Sequence, residues 1–368
     1  DAVGQQNIDA CRVGGVLYGL PSNRDIAQGR GCAAIATEYL DGIGYEVNSD
    51  DEIVKISLDE LNDIYAKLHE AYPDKEVYRP GTGSMSQFSN VDALGGNVFG
   101  VLLDYGQNLD VVNLFESDFY KDYCARLYDY NQKGYISADA STDTTAVGEL
   151  VKAGTLMSYT TGGKPGIKAQ ETTLTGRDMT IFQTLDDYIG STSVAGMPWT
   201  IPISAQHKEA AMKFLNECYS NADVANLLAW GIEGTHYKIG DDGLATYADG
   251  VDASNSGWNH SMGWMMPNQF LTHVWEGNDP ELWDKMRDFN NNAKVSKASG
   301  FSFDSTNVAN EITAVQNVYN EYQTSVEYGF VDPETGIAEM NDKMMAAGLQ
   351  KIIDEKAAQL AAWQEANK

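Results

Sequence analysis

The chain has 368 residues, 43% of them hydrophobic, with 53 acidic against 25 basic side chains and a formal net charge of −28. That length supports a large core and two or three domains. The charge excludes a nucleic-acid partner, which requires a locally cationic surface to release phosphate counterions, and no apolar run approaches the roughly 18 residues of a membrane span.

In chain order, "VLYGLPSNRD" (16–25) comes first. Val16, Leu17 and Tyr18 read as the end of a buried strand, broken by Pro21 and followed by the polar run Asn23, Arg24, Asp25. The next stretch, "GRGCAA" (29–34), fits the degenerate form G-x-G-x-x-A. A polar, turn-like "PSNRDIAQ" precedes it where a dinucleotide site needs a strand, so nucleotide binding is set aside. "IVKI" (53–56) predicts a strand. "SLDE" then predicts a capping box, with Ser57 as N-cap and Glu60 three residues on. Leu58, Leu61, Ile64, Tyr65, Leu68 and Tyr72 line one face of the helix, which Pro73 ends.

"VFGVLLD" (98–104), "GTLMSYT" (154–160) and "MTIF" (179–182) read as short strands, and 119–135 as a helix closed by Gly134. "TTGGKPG" (160–166) has Pro165 where a phosphate loop needs Ser or Thr after its lysine, and reads as a plain loop. A helix with the apolar face Ala211, Phe214, Leu215, Cys218 and Tyr219 follows "GMPWTIPIS". "IGDDGLATYADG" (239–250) lacks calcium-loop spacing and reads as a hairpin turn. Two long helical patterns close the chain, the first from Val308 to Tyr322 and the second from Met344 to Trp363, with "GFVDPETG" (329–336) as their turn. The mixture argues for α/β layers.

Catalytic and metal motifs find no support. The five histidines show no HExxH and no two on one helical face. The four cysteines (11, 32, 124, 218) form no CxxC and read as small buried residues, with a Cys11–Cys32 bridge as the alternative in an oxidising compartment. With 53 acids, a carboxylate pair somewhere is inevitable and therefore uninformative. The tryptophans are more telling. "MPWT" (197–200), "AWG" (229–231) and "GWNHSMGWMMPNQF" (257–270) place Trp199, Trp230, Trp258 and Trp264 among Gly, Pro and Asn. Indoles on such loops make flat platforms for a neutral polar ligand whose hydroxyls amides can fix, and sugars are ligands of this kind. The competing reading packs these rings as plugs against the core.

Three stretches together resemble the extracellular solute-binding proteins of ABC importers, in the carbohydrate-type class. "VGGVLYGLPSNRD" looks like that family's crossing from the first lobe to the second. "GMPWTIPISAQHKEAAMKFLNECYSNADVANLL" looks like the return segment. "GFSFDSTNVANEITAVQNVYNEYQTSVEYG" through "EKAAQLAAWQEANK" looks like a C-terminal module of uncharacterised function found on a lipoprotein subset. Family members carry a lipid-modified cysteine, a tail and half of lobe one before the crossing, so lobe one is expected to be incomplete and to expose Val16, Leu17 and Ile201.

The resemblance implies an α/β two-lobe, periplasmic-binding-protein-like fold of type II. Lobe one would comprise 1–24 and 193–262. Lobe two would comprise 25–192 and 263–368, with 300–368 a helical C-terminal module. The implied function is capture of a carbohydrate, an oligosaccharide, in an interlobe cleft and its delivery to ABC permease subunits. The implied location is extracellular, on a lipid anchor outside this chain. No catalytic residue, metal or cofactor is expected. The ligand-binding residues expected are Asn23, Arg24 and Asp25 at the crossing, Tyr159, Trp199, Trp258 and Trp264 for stacking, and Asn268 for amide contacts. The alternative is a carbohydrate-active hydrolase or lyase, and a third class is an adhesive or scaffolding surface protein.

Overall fold

A computed structural model describes residues 2–13, 15–47, 52–81, 83–258 and 263–367. It divides into two compact units, Asp1–Ala27 with Thr192–Ala293 and Gln28–Ser191 with Lys294–Lys368. Residues 259–262, inside the tryptophan-rich stretch, lie outside the described residues and include His260. Among the described residues no helix is long and apolar enough to cross a membrane.

The second unit is built on a seven-stranded sheet. Its strands are β1 Gln28–Ala36, β2 Val54–Lys55, β3 Glu76–Arg79, β4 Leu156–Gly163, β5 Met179–Gln183, β6 Asp187–Ile189 and β7 Lys294–Val295. They run in the order β7-β6-β1-β4-β3, with β5 also paired to β1 and β2 to β5. β1 is antiparallel to β4, β5 and β6, while β3–β4, β2–β5 and β7–β6 pair in parallel.

The sequence reading missed β1, because Gly, Ala and Cys carry little strand propensity. It is the strand that binds the sheet together, with Cys32 through Ala36 all fully buried. Its small residues are required by its neighbour. A Cβ on Gly163 of β4 would sit 2.7 Å from Cys32 Sγ, and one on Gly29 would sit 2.8 Å from Gly163 Cα. Gly31 takes φ +67 where the register slips between Gly29 and Cys32, a bulge that only glycine enters cheaply. "GRGCAA" therefore lies within a strand and not at a strand-to-helix turn.

Helix α1, Leu58–Ala71, forms as read, with the Glu60 amide donating to Ser57 Oγ at 3.1 Å. The Glu60 carboxylate instead accepts from Tyr45 Oη at 2.9 Å. Its Leu61, Ile64, Tyr65 and Leu68 are buried, and Tyr65 Oη meets Ser158 Oγ of β4 at 3.0 Å. Helix α2, Asp118–Gln132, is capped by Ser117 and buries Tyr120, Tyr123, Cys124, Leu127 and Tyr130. "VFGVLLD" is not a strand. It makes only the isolated bridges Asp92↔Leu102 and Val101↔Val112.

The C-terminal region has three helices in place of the expected two: α3 Ala309–Glu327, α4 Pro333–Ala346 and α5 Leu349–Ala366. Asp332 caps α4, which takes in Pro333 and so consumes part of the expected turn. Gly348, at φ +109, divides α4 from α5. These helices share one hydrophobic core with the sheet and α2, through Val315, Tyr319, Met340, Met344 and Ile352. Each such side chain stabilises by roughly 1.5–3 kcal/mol relative to exposure.

The first unit has, among the described residues, three two-stranded pieces: Arg12–Val13 with Val16–Leu17, Leu20–Pro21 with Pro198–Trp199, and the hairpin Tyr237–Ile239 with Ala245–Tyr247. The hairpin is the turn read from "IGDDGLATYADG". Residues 263–293, expected in lobe two, pack in this unit instead. Asn268 bridges Asn23, Ala245 bridges Trp275, and the Trp230 and Trp275 rings lie 4.6 Å apart.

Val16–Leu17–Tyr18 is not a buried strand end; Val16 is 56% and Tyr18 64% exposed. Ile201 is half-buried, and Ile203 is the exposed isoleucine of that stretch. On helix Lys208–Ser220 the buried face is Leu215, Cys218 and Tyr219, and Phe214 points to solvent. The four cysteines are free and buried.

Candidate functional site

In the first unit the chain from Pro21 to Ala27 is held by amide side chains standing in for strand partners. Asn23 donates its backbone N–H to the Pro267 carbonyl at 2.8 Å and accepts from the Gln269 N–H at 3.0 Å. Its Nδ2 donates to Asn268 Oδ1 at 3.1 Å. Asn268, 5% exposed, also accepts from the Phe270 N–H at 3.2 Å and donates to the Tyr219 carbonyl at 2.8 Å. Its oxygen accepts twice and its nitrogen donates once inside the protein. Arg24 donates to the Asp25 carbonyl and to the Ser193 carbonyl at 3.4 Å, and its guanidinium lies 3.7 Å from the Asp25 carboxylate, which is itself buried. Asn23, Asn268 and the Arg24–Asp25 pair thus shape the local backbone.

The loop tryptophans behave differently. Trp199 and Trp264 are 39% and 37% exposed. Trp199 Nε1 donates to the Met265 carbonyl at 3.0 Å, which ties its ring to the single turn Gly263–Met265 that carries Trp264. Gln269 lies against Gly263 of the same turn, and its Oε1 is a buried acceptor with no hydrogen-bond partner among the described residues. Ser22 Oγ, next to Asn23, is a second such atom. Buried polar atoms are nearly always satisfied, so the Gln269 oxygen, on a side chain that lies against the turn carrying Trp264, is an acceptor that a ligand hydroxyl could complete.

Trp258, 45% exposed, donates to the Leu228 carbonyl at 3.3 Å and packs beside Gly231. Among the described residues, no hydrogen bond or ring contact links it to the Trp199–Trp264 turn. Trp230 is packed against Trp275, which the sequence reading left unnoticed; Tyr247 meets the same ring edge-on at 5.0 Å.

Tyr159 lies in the second unit and is core, not platform. It is 4% exposed in β4, and its hydroxyl donates to the buried Glu171. Burial and the neighbouring carboxylate push its pKa well above the ordinary tyrosine value.

The second unit holds its own unread polar group. Arg30, from the bulged start of β1, donates to the Ser86 carbonyl and lies 5.5 Å over the Tyr188 ring. Its Nε, and Oε1 of the adjacent Gln87, are buried without a hydrogen-bond partner among the described residues. Burial draws the Arg30 pKa down. The signal available was an arginine between two glycines, but in "GRG" the glycines suggested a nucleotide loop. A separate cleft of about 420 Å³ is lined by Glu38, Lys152, Gly176, Arg177 and Asp178. Arg177 is already paired with Glu38 there, and the lining offers no aromatic face.

Comparison with known proteins fits this architecture. Residues 297–365 match a family model described as a domain of unknown function, DUF3502. A carbohydrate ABC transporter substrate-binding protein of Streptococcus pneumoniae (serotype 4) is 25% identical over 350 residues, covering 93% of this chain and 68% of that protein. The N-glycan transport solute-binding protein NgtS of Streptococcus pneumoniae matches with a TM-score of 0.84 and 23% identity, over 100% of this chain and 80% of that one. An HMO-binding, ABC-transporter-associated solute-binding protein of Bifidobacterium longum infantis matches with a TM-score of 0.63 and 15% identity, over 98% and 80%. The chain therefore has the mixed α/β fold of the extracellular solute-binding proteins, with a DUF3502 segment forming its last three helices.

Proposed function

We propose that this chain is the substrate-binding part of a carbohydrate importer, capturing an oligosaccharide without transforming it. The observation that carries the reading is the pair Trp199 and Trp264, half-exposed and fixed to one turn beside the unsatisfied Gln269 oxygen, in a solute-binding-protein fold. An indole face covers the apolar face of a pyranose, and an amide oxygen accepts from its hydroxyls. Trp258, Arg30 and Gln87 are further candidate contacts on their own units. Asn23, Arg24, Asp25 and Asn268 support the backbone around the site. Delivery to permease subunits, and display outside the cell on a lipid anchor, complete the proposal.

NgtS has been solved with Man1GlcNAc and Man5GlcNAc, which makes mannose–GlcNAc oligosaccharides the first probes to use. Calorimetry against these and a panel of unrelated oligosaccharides is expected to give saturable binding, accompanied by a tryptophan fluorescence change and recovery of intact ligand. Absence of binding across the panel refutes the reading. Release of shortened or unsaturated sugars favours the hydrolase or lyase alternative.

A further inference from the structure

Lys356 is a buried lysine held by the oxygens of a single loop. It is fully buried on α5, and its Nζ donates to four oxygens: Ala93 O at 2.9 Å, Asn97 O at 3.0 Å, Asn97 Oδ1 at 3.0 Å and Gly100 O at 2.9 Å. None of these oxygens can donate, so together they favour the ammonium over the amine. All four belong to one loop, 92–107, whose backbone is unusually contorted. Leu94, Asp104 and Tyr105 are the non-glycine residues with positive φ among the described residues, and Gly95, Gly96, Gly100 and Gly106 share that region. Strain of this kind persists only where the surroundings over-determine it. The over-determination comes from the DUF3502 segment: Lys356 from within, and Ala298, Phe301 and Leu360 packed on Leu94 and Leu102.

The same loop holds two places where the chain leaves or re-enters the second unit. Asp92, 3% exposed, accepts from the Ser191 N–H at 2.9 Å and from Ser191 Oγ at 2.6 Å. Ser191 is the last residue of the unit before the chain departs, and Lys294 is the first on its return. The Ser191 carbonyl accepts from the Gly300 N–H at 3.0 Å, and the Ile189 carbonyl from the Ser296 N–H at 2.9 Å. On the loop's other side, Gly106 O accepts from the Lys297 N–H at 3.1 Å and Gln107 Nε2 donates to the Val295 carbonyl at 2.9 Å.

We propose that the DUF3502 segment is a hinge brace, and that Lys356 and Asp92 are positioning residues that fix the direction in which the chain leaves and re-enters the second unit, and thereby the strength of ligand capture. The inference rests on the substrate-binding reading above, since a brace matters to function only if the units must adjust to a ligand. Binding energy is drawn on by any conformational change it drives, so a residue that biases the free protein changes affinity without touching the ligand.

The test compares the parent with Lys356→Met, Asp92→Asn and, as a control for stability alone, Val326→Ala, a buried α3 residue outside this network. Spin labels on Lys121→Cys and Glu209→Cys, exposed positions in the two units, report inter-label distances, and the four buried native cysteines stay unlabelled. Lys356→Met and Asp92→Asn are expected to shift or broaden the distance distribution of the ligand-free protein. They are also expected to lower affinity at least tenfold for the oligosaccharide that binds the parent. Val326→Ala, despite lowering Tm, is expected to change neither. Parent-like distances and affinity in Lys356→Met overturn the proposal, as does a Val326→Ala variant that reproduces both changes. If Lys356→Met does not fold, Ser191→Ala removes only the hydroxyl bond to Asp92 and should move the distribution in the direction of Asp92→Asn; no movement overturns the brace. If the parent binds no carbohydrate, the transport reading fails while the ligand-free distances still decide the brace.

Discussion

Glu327, the last residue of α3, is one place where pH should reach the fold. It is 1% exposed and accepts from Tyr319 Oη at 2.6 Å, Tyr120 Oη at 3.1 Å and Gln323 Nε2 at 3.2 Å. Three donors favour the carboxylate, but burial outweighs them and raises its pKa to about 7, against 4.5 for the free side chain. The C-terminal end of a helix, where α3 places it, disfavours a negative charge further. A carboxyl whose folded pKa is raised binds more protons folded than unfolded between those two values. Its contribution is therefore favourable at low pH and is lost as pH rises from about 4.5 through 7. At 1.36 kcal/mol per pH unit the loss is roughly 3 kcal/mol. Glu327→Gln keeps an acceptor for the tyrosines and removes the charge. Urea melts of both proteins from pH 4 to pH 8 should show the variant gaining on the parent by roughly 3 kcal/mol across that range, and more stable at pH 8. Parallel pH profiles would refute the buried-charge reasoning, and so would a variant that loses stability most at pH 8.

Trp199→Ala and Trp264→Ala should each weaken oligosaccharide binding about 5- to 150-fold, for roughly 1–3 kcal/mol of ring burial. They should leave Tm nearly unchanged; calorimetry with a thermal melt on each variant checks both, and a large Tm loss with full affinity would place them in the core. Tyr159→Phe leaves Glu171 short of a donor and should cost about 1–3 kcal/mol of stability, with sugar affinity unaltered in the same two measurements. Gly163→Ala must push a methyl against Cys32 Sγ, so a destabilisation of about 1–3 kcal/mol is expected in urea melts. Gln269→Ala should weaken binding several-fold while leaving the fold intact, because its Oε1 has no partner to lose among the described residues; calorimetry and a thermal melt check both.

What was legible in the sequence was what local chemistry decides. Ser57 and a 3.6-residue apolar stripe specify α1 without help from elsewhere, and α2 reads as a helix over 119–135 without its Ser117 cap. β1 was not legible, because its composition answers to a neighbour. Gly29, Gly31 and Cys32 are small to let β4 approach, and that constraint exists only once the sheet is assembled. α3 and α5 read as helices, but α4, Pro333–Ala346, does not, because its start reads as a turn and one glycine at 348 makes a break that periodicity spans. Tyr159 was misassigned for a related reason: β4 is buried at Leu156, Met157, Ser158 and Tyr159 in succession, so alternation gave no face to choose.

The site shows the same division between what a residue type can do and what its surroundings leave it free to do. Amides and charges at 23–25 and 268 are the groups that sugars need, and the sequence offers them for that use. The structure spends them on backbone that has no strand to pair with. Asn290 makes the rule explicit. Its Oδ1 accepts from the Ile26 and Ala27 N–H groups at 3.0 and 3.1 Å, and its Nδ2 donates to the Arg24 carbonyl at 2.7 Å. An amide used in this way cannot turn to a ligand without leaving a buried peptide group unsatisfied, at a cost of about 1–3 kcal/mol. On the substrate-binding reading proposed above, recognition would fall to groups of this unit with unspent capacity: the open faces of Trp199 and Trp264 and the Gln269 oxygen one residue beyond Asn268. Selectivity among sugars should accordingly follow ring stacking first and the position of one or two hydroxyls second.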